Sequence, residues 1–147
     1  MSREFHFPAS VTWEGGRRTS ARVAGKQAIG IAPPPEFRGT DPDTWSPEDF
    51  FTTAAASCLA VTSTGLAQRA GVPLRSLEVH GDGVVGKRDD GHFGFVRIEQ
   101  HVRLETDPGF EERAHALVDE AEAGCLVAVS LDLPLHTEID VAVATAA

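Results

Sequence analysis

Cysteine is scarce in this 147-residue chain: there are two, Cys58 and Cys125, lying 67 residues apart. That separation fits neither a CxxC pair nor a zinc site, and no Cys/His cluster accompanies them, so no metal or other cofactor is expected. Basic residues are also in short supply. Thirteen Lys and Arg against 22 Asp and Glu leave a net charge of −9, which repels phosphate backbones and anionic bilayers, so nucleic acid is not an expected partner. Long apolar runs are missing as well. The longest, around residues 54–67, is broken by Ser57, Thr62, Ser63 and Thr64 and falls short of the roughly 20 residues that span a bilayer, so no membrane span is expected. The opening "MSREFHFPAS" has no apolar core of the signal-peptide kind, which makes a reducing cytoplasm the expected compartment and free thiols the expected state of both cysteines. Repeats, low-complexity tracts and internal linkers are absent, and a hydrophobic content of 41% can fill one core, so residues 1–147 are expected to form a single domain.

The order of elements follows from turn and cap signals. Residues 4–14 alternate loosely and end at Gly15-Gly16, a hairpin signal, after which "RTSARVAG" and "QAIGIAP" return as strands. Residues 33–45, rich in Pro, Gly and Asp, predict a long ordered loop. Ser46, Pro47 and Asp49 form a capping-box start, and Gly71 with Pro73 a stop, for a helix of twenty-odd residues. Its small and apolar residues extend well around the wheel, so cover is expected on more than one side, from a second layer or a second subunit. Two alternating runs, "SLEVHGDGVVGKR" and "FGFVRIEQHVRLET", predict a long hairpin. A second helix follows, with Asp107 as its expected cap, Phe110, Ala114, Leu117, Val118 and Ala121 on one face, and Gly124 at its end. "CLVAVSL" fits a short helix or a strand equally, and "LHTEIDVAVA" is a final strand. The sum is an α+β domain.

Cys58 shares a helix face with Phe51, Ala54, Ala55, Val61, Thr62 and Gly65, a setting that suits either a tightly packed inert thiol or a thiol bordering an apolar pocket. Cys125 follows a helix stop, where the free N–H groups of a new turn favour a thiolate. If the two met, a reversible dithiol/disulfide cycle would be the natural chemistry. Sequence separation leaves the meeting open. His80 and His101 could approach across paired strands, but ordinary sheet positions are the simpler reading. Trp13 and Trp45 suit core or dimer packing, and Phe37, Phe50 and Phe51 suit either a substrate pocket or plain core.

The segment "SPEDFFTTAAASC", with Glu48 ten residues before Cys58, resembles the first cysteine motif of the OsmC/Ohr family, the osmotically inducible and organic hydroperoxide resistance proteins. "AEAGC" before Cys125 is similar to that family's second motif, and the element order matches across nearly the whole chain. The resemblance implies antiparallel sheets around a long central helix in an intertwined homodimer. It also implies a cysteine-based peroxidase that reduces organic hydroperoxides to alcohols, with Cys58 the attacking thiol, Cys125 the resolving one, and an arginine and Glu48 activating Cys58. An external dithiol such as a lipoyl-bearing protein would restore both thiols. Arg38, in the long loop, matches the arginine of one branch of the family, and Arg17 in "GGRR" that of the other; Arg38 is preferred. Ten helical residues put the Cα of Glu48 ~15 Å from that of Cys58, so Glu48 must act through a long arginine or on the partner subunit. Leu126 departs from the pattern, standing where the better-known peroxidases carry proline. The competing expectation is a non-catalytic dimer that binds a small apolar ligand, with both cysteines as packing residues.

Overall fold

The computed structural model describes residues 2–145. Six strands and three helices run in the order β1 (Ser10–Gly15), β2 (Arg18–Arg22), β3 (Ile29–Ile31), α1 (Pro47–Ala70), β4 (Leu74–Lys87), β5 (Phe93–Thr106), α2 (Glu111–Gly124), α3 (Leu126–Ser130) and β6 (Leu135–Val143). They form two compact units, one ending at Phe50 and one from Phe51 onward.

The N-terminal unit is an antiparallel sheet in the order β1-β2-β3. β1 starts at Ser10, later than the alternation from residue 4 suggests, because it extends only as far as β2 supplies partners, from Ser10 opposite Arg22 to Gly15 opposite Arg18. Between β3 and α1 the chain makes one 3-10 turn, Pro35–Phe37, and is closed by a hydrogen bond from the Ala32 N–H to the Trp45 carbonyl at 3.0 Å. Trp13 and Trp45 stay 70% and 46% exposed. Trp45 tilts against Phe50, with 5.2 Å between ring centroids.

α1 begins where its sequence predicts. The Asp49 N–H donates to Ser46 Oγ at 3.1 Å and the Ser46 N–H to the Asp49 carboxylate at 2.8 Å, a reciprocal capping box. It ends on Gly71, whose φ of 68° is open to glycine without strain. There the Val72 N–H reaches back to the Ala67 carbonyl and the Gly71 N–H to that of Gln68, a Schellman closure. Within one chain α1 buries a single stripe, Ala55, Leu59, Ser63 and Ala67. These recur every fourth residue and so share one face. The expected cover on several sides is therefore not supplied by the chain itself. At 24 residues, α1 is by length and composition long and apolar enough to cross a bilayer. The core helix of a globular protein has the same length and composition.

The C-terminal unit places α1 and α2 on one face of a sheet ordered β4-β5-β6. β4 and β5 pair antiparallel over fourteen residues each, while β6 joins β5 in parallel, because α2 and α3 carry the chain back before β6 begins. The inward positions of β5 are Ile98, Gln100, Val102, Leu104 and Thr106, all buried. Val102 and Leu104 join Leu59 and Ala67 of α1 and Ala114, Leu117, Val118 and Ala121 of α2 in the core. The close approach of α1 depends on Gly83: a Cβ there would fall on Thr52 Oγ1 and come within 2.7 Å of Phe95 Cε1.

Asp107 does not cap α2. The helix starts at Glu111 with Phe110 in the cap position. The Asp107 carboxylate instead accepts two hydrogen bonds from Arg75, at 2.7 and 2.6 Å, a bidentate fit that competes successfully with capping. "CLVAVSL" resolves as the short helix α3.

Candidate functional site

α1 carries Cys58 on its fourth turn, and the junction between α2 and α3 carries Cys125. Gly124 closes α2, and Cys125 adopts an extended conformation, φ −69° and ψ 119°, that turns the chain into α3. The two side chains are free thiols, Cys58 half-buried and Cys125 buried, and their sulfurs lie within hydrogen-bonding reach of each other. Sixty-seven residues of separation are thus closed by the fold.

Their surroundings bias the two thiols in opposite directions. For Cys58, burial opposes ionisation, but hydrogen bonds from the Cys125 thiol, the Val127 N–H, the Thr62 hydroxyl and the Leu126 N–H outweigh it and hold its pKa below the ordinary thiol value. For Cys125, burial and then the hydrogen bond it gives to Cys58 push the pKa up, against weaker help from the Ala128 and Val127 N–H groups. Cys58 is therefore the more readily ionised of the two, as a nucleophile beside a neighbouring thiol donor would be.

Phe51, two turns before Cys58, stacks on Phe95 with 4.1 Å between centroids. Phe37 is 41% exposed in the N-terminal loop. Arg38 and Glu48 belong to the N-terminal unit. Among the described residues they form no ion pair with each other. Glu48, on the first turn of α1, has an Oε2 atom shut off from solvent and lacking a hydrogen-bond partner, an open acceptor for a cation. Arg38 is the one described non-glycine residue with positive φ, 63°, and its side chain is exposed. Arg17 is engaged elsewhere. Its Nη1 donates to the Phe37 carbonyl at 3.1 Å and to the Arg38 carbonyl at 3.4 Å, tying down the loop on which Arg38 sits.

Sequence reasoning missed the donors around Cys58. Thr62 stands four residues on, one helical turn away, a spacing that signals contact. The Leu126 N–H exists because the residue is not proline. Neither signal points to a site until the fold brings Cys125 alongside. His80 faces His101 across β4 and β5, and His101 Nε2 meets Asp140 Oδ2 at 2.6 Å. Among the described residues no three His, Cys, Asp or Glu side chains converge as metal ligands.

The model of a family described as OsmC-like protein matches residues 39–140. The uncharacterized protein YmaD of Bacillus subtilis is 24% identical over 145 residues, 95% of each chain. Among solved structures, an OsmC-like protein of unknown function from Vibrio cholerae superposes with a TM-score of 0.85 at 18% identity, covering 93% of this chain and 100% of that one. An organic hydroperoxide resistance protein from Elizabethkingia anophelis gives a TM-score of 0.76 at 19% identity, covering 98% and 100%. At such identities the structures speak for a shared fold.

Proposed function

The chain belongs to the OsmC-like protein family, and on that premise we propose that it is a thiol-dependent peroxidase that reduces organic hydroperoxides. The observation that carries the reading is the thiol pair, with the Cys58 pKa held below the ordinary thiol value beside a Cys125 whose pKa is pushed up.

The Cys58 thiolate attacks one oxygen of ROOH; the O–O bond breaks, the alkoxide takes a proton and leaves as ROH, and Cys58 becomes a sulfenic acid. The Cys125 sulfur then attacks that of Cys58. An S–S bond forms, the S–O bond breaks, and hydroxide leaves with the Cys125 proton as water. An external dithiol, of which a lipoyl-bearing protein is one source, reduces the disulfide and restores both thiols. On the family resemblance Glu48 and Arg38 are the proposed activating pair: a guanidinium held by a carboxylate favours a thiolate, and Glu48 Oε2 is an acceptor still without a partner. Arg38 is preferred to Arg17 because the Arg17 guanidinium is already occupied by loop carbonyls.

A homodimer is part of the proposal. Val61, on the outward face of α1, is 70% exposed, and Val11 and Trp13 of β1 are also bare, a distribution of apolar surface that suits a second copy. Sedimentation should give twice the 15.7 kDa of one chain.

The chemistry is tested by intact mass and free-thiol count after one equivalent of cumene hydroperoxide. Wild type should lose two hydrogens and both thiols. Cys125→Ser should stop at a sulfenic acid or its overoxidised products, and Cys58→Ser should not react. Two intact thiols after long exposure of wild type would sink the peroxidase reading and leave both cysteines as packing residues.

A further inference from the structure

Three polar side chains that the mechanism does not use meet at the last turn of α2. Gln100 lies on the inward face of β5 and is buried; its Nε2 donates to Thr137 Oγ1 on β6 at 3.4 Å. The Thr137 hydroxyl in turn donates to Glu122 Oε1, on the last turn of α2. The Glu122 carbonyl accepts the Cys125 N–H at 3.3 Å. The chain of contacts therefore runs from the sheet interior to the backbone of the second thiol.

We propose that Thr137, steadied by Gln100 and holding Glu122, is a positioning residue that fixes Cys125 for attack on oxidised Cys58. The inference rests on the peroxidase reading and adds to it the residues that govern its second step.

The last turn of α2 needs such an anchor. Helix ends fray, and this one finishes on Gly124, which has no side chain to pack and weakens a helix relative to alanine. Ala121 is buried and holds the inner side of that turn. Beyond it, the Glu122 contact with Thr137 ties the turn to a strand. The arrangement carries a penalty: Gln100 Oε1 is buried without a partner, a loss that an apolar side chain at this position would avoid. What the glutamine contributes in exchange is its NH2 group, which orients the Thr137 hydroxyl toward Glu122. Freed of that contact, Cys125 would sample positions away from Cys58, and intramolecular attack falls steeply with misplacement, by up to ~10²-fold per ångström.

The test is the fate of the Cys58 sulfenic acid, since its partition does not depend on how fast it forms. Each protein receives one equivalent of cumene hydroperoxide in the presence of dimedone, and disulfide and adduct are counted by intact mass. Thr137→Val should shift the partition toward adduct by about tenfold, while Thr137→Ser, which keeps the hydroxyl, should match wild type. Gln100→Leu should shift it the same way by less, and serves if Thr137→Val does not fold. A wild-type partition in both Thr137→Val and Gln100→Leu, or an equal shift in Thr137→Ser and Thr137→Val, would overturn the assignment. If wild type forms no sulfenic acid the peroxidase reading falls, and the positioning role is then read with diamide. That reagent takes up two hydrogens as the two thiols close to a disulfide. Slower closure in Thr137→Val than in Thr137→Ser would uphold the role, and equal closure would dismiss it.

Discussion

The two sheets of this protein are built from the same alternating pattern and end in opposite conditions. In the C-terminal sheet every second residue of β5 from Ile98 to Thr106 is buried, under α1 and α2. In the N-terminal sheet β1 is exposed along almost its whole length, and Ser20 is the only buried residue of the three strands. Alternation fixes which residues share a face but not whether anything covers that face. The C-terminal unit finds its cover within the chain and also holds both thiols. The N-terminal unit carries the charged candidates, Arg38 and Glu48, and leaves Val11 and Trp13 bare.

The contrast breaks first on stability. Leu117→Ala empties a fully buried position of the C-terminal core and should lower unfolding free energy by about 2–5 kcal/mol in urea titration. Val11→Ala should barely move it at concentrations where the chain is monomeric, and should weaken self-association instead. Equal losses from the two would mean that the sheets are not differently covered. Next in size is the cap of α1. Ser46→Ala removes a side-chain acceptor that is in use and should cost about 1 kcal/mol, readable as a lower Tm.

Smaller effects sharpen the comparison at the thiols. Thr62→Val and Leu126→Pro each delete one donor to Cys58 and should raise its pKa. Iodoacetamide labelling of Cys58 at pH 6.5 should slow a few-fold, as one lost hydrogen bond of about 0.5–1.5 kcal/mol implies. The sign is fixed by which form reacts: a lowered pKa leaves more thiolate at pH values below the ordinary thiol range, so Cys58 should label before Cys125 there, and its lead should shrink as pH rises. A proline at 126 is compatible with the first turn of α3 and with the extended Cys125 before it, so slower labelling would reflect the missing N–H. The least effect is expected from Asp107→Ala, which breaks an exposed ion pair with Arg75 and should hardly change Tm. A fall as large as that of Ser46→Ala would show Asp107 to support α2 after all.

Legibility in the sequence followed the distance over which a signal acts. Ser46, Asp49 and Gly71 are readable because a cap or a stop involves neighbours three to five residues away. Asp107-Pro108 has the same signature, yet the partner that decides its role is Arg75, 32 residues back, and nothing local announces it. Cys58 is recognisable by its motif, whereas its pairing with Cys125 depends on how α2 ends above the sheet. Gln100, Thr137 and Glu122 read as ordinary polar residues on two strands and a helix until register and packing join them. Leu126 was legible in a different way. As a departure from the family's proline it suggests a loss, while in the fold it supplies a donor.

Parallel pairing of β5 and β6 also orders events in time. A parallel neighbour cannot be reached through a tight turn, so the whole α2–α3 crossover must be laid down before β6 can add to the sheet, and loop-closure entropy delays that step relative to the β4–β5 hairpin. Thr137 lies on β6, so the anchor of Cys125 is among the last parts to form. During synthesis Cys58 emerges well before Cys125 and gains the contributions of Cys125, Leu126 and Val127 only when the α2–α3 junction packs beside α1. A nascent chain therefore carries Cys58 without most of the donors that lower its pKa, and that bias is acquired through tertiary packing.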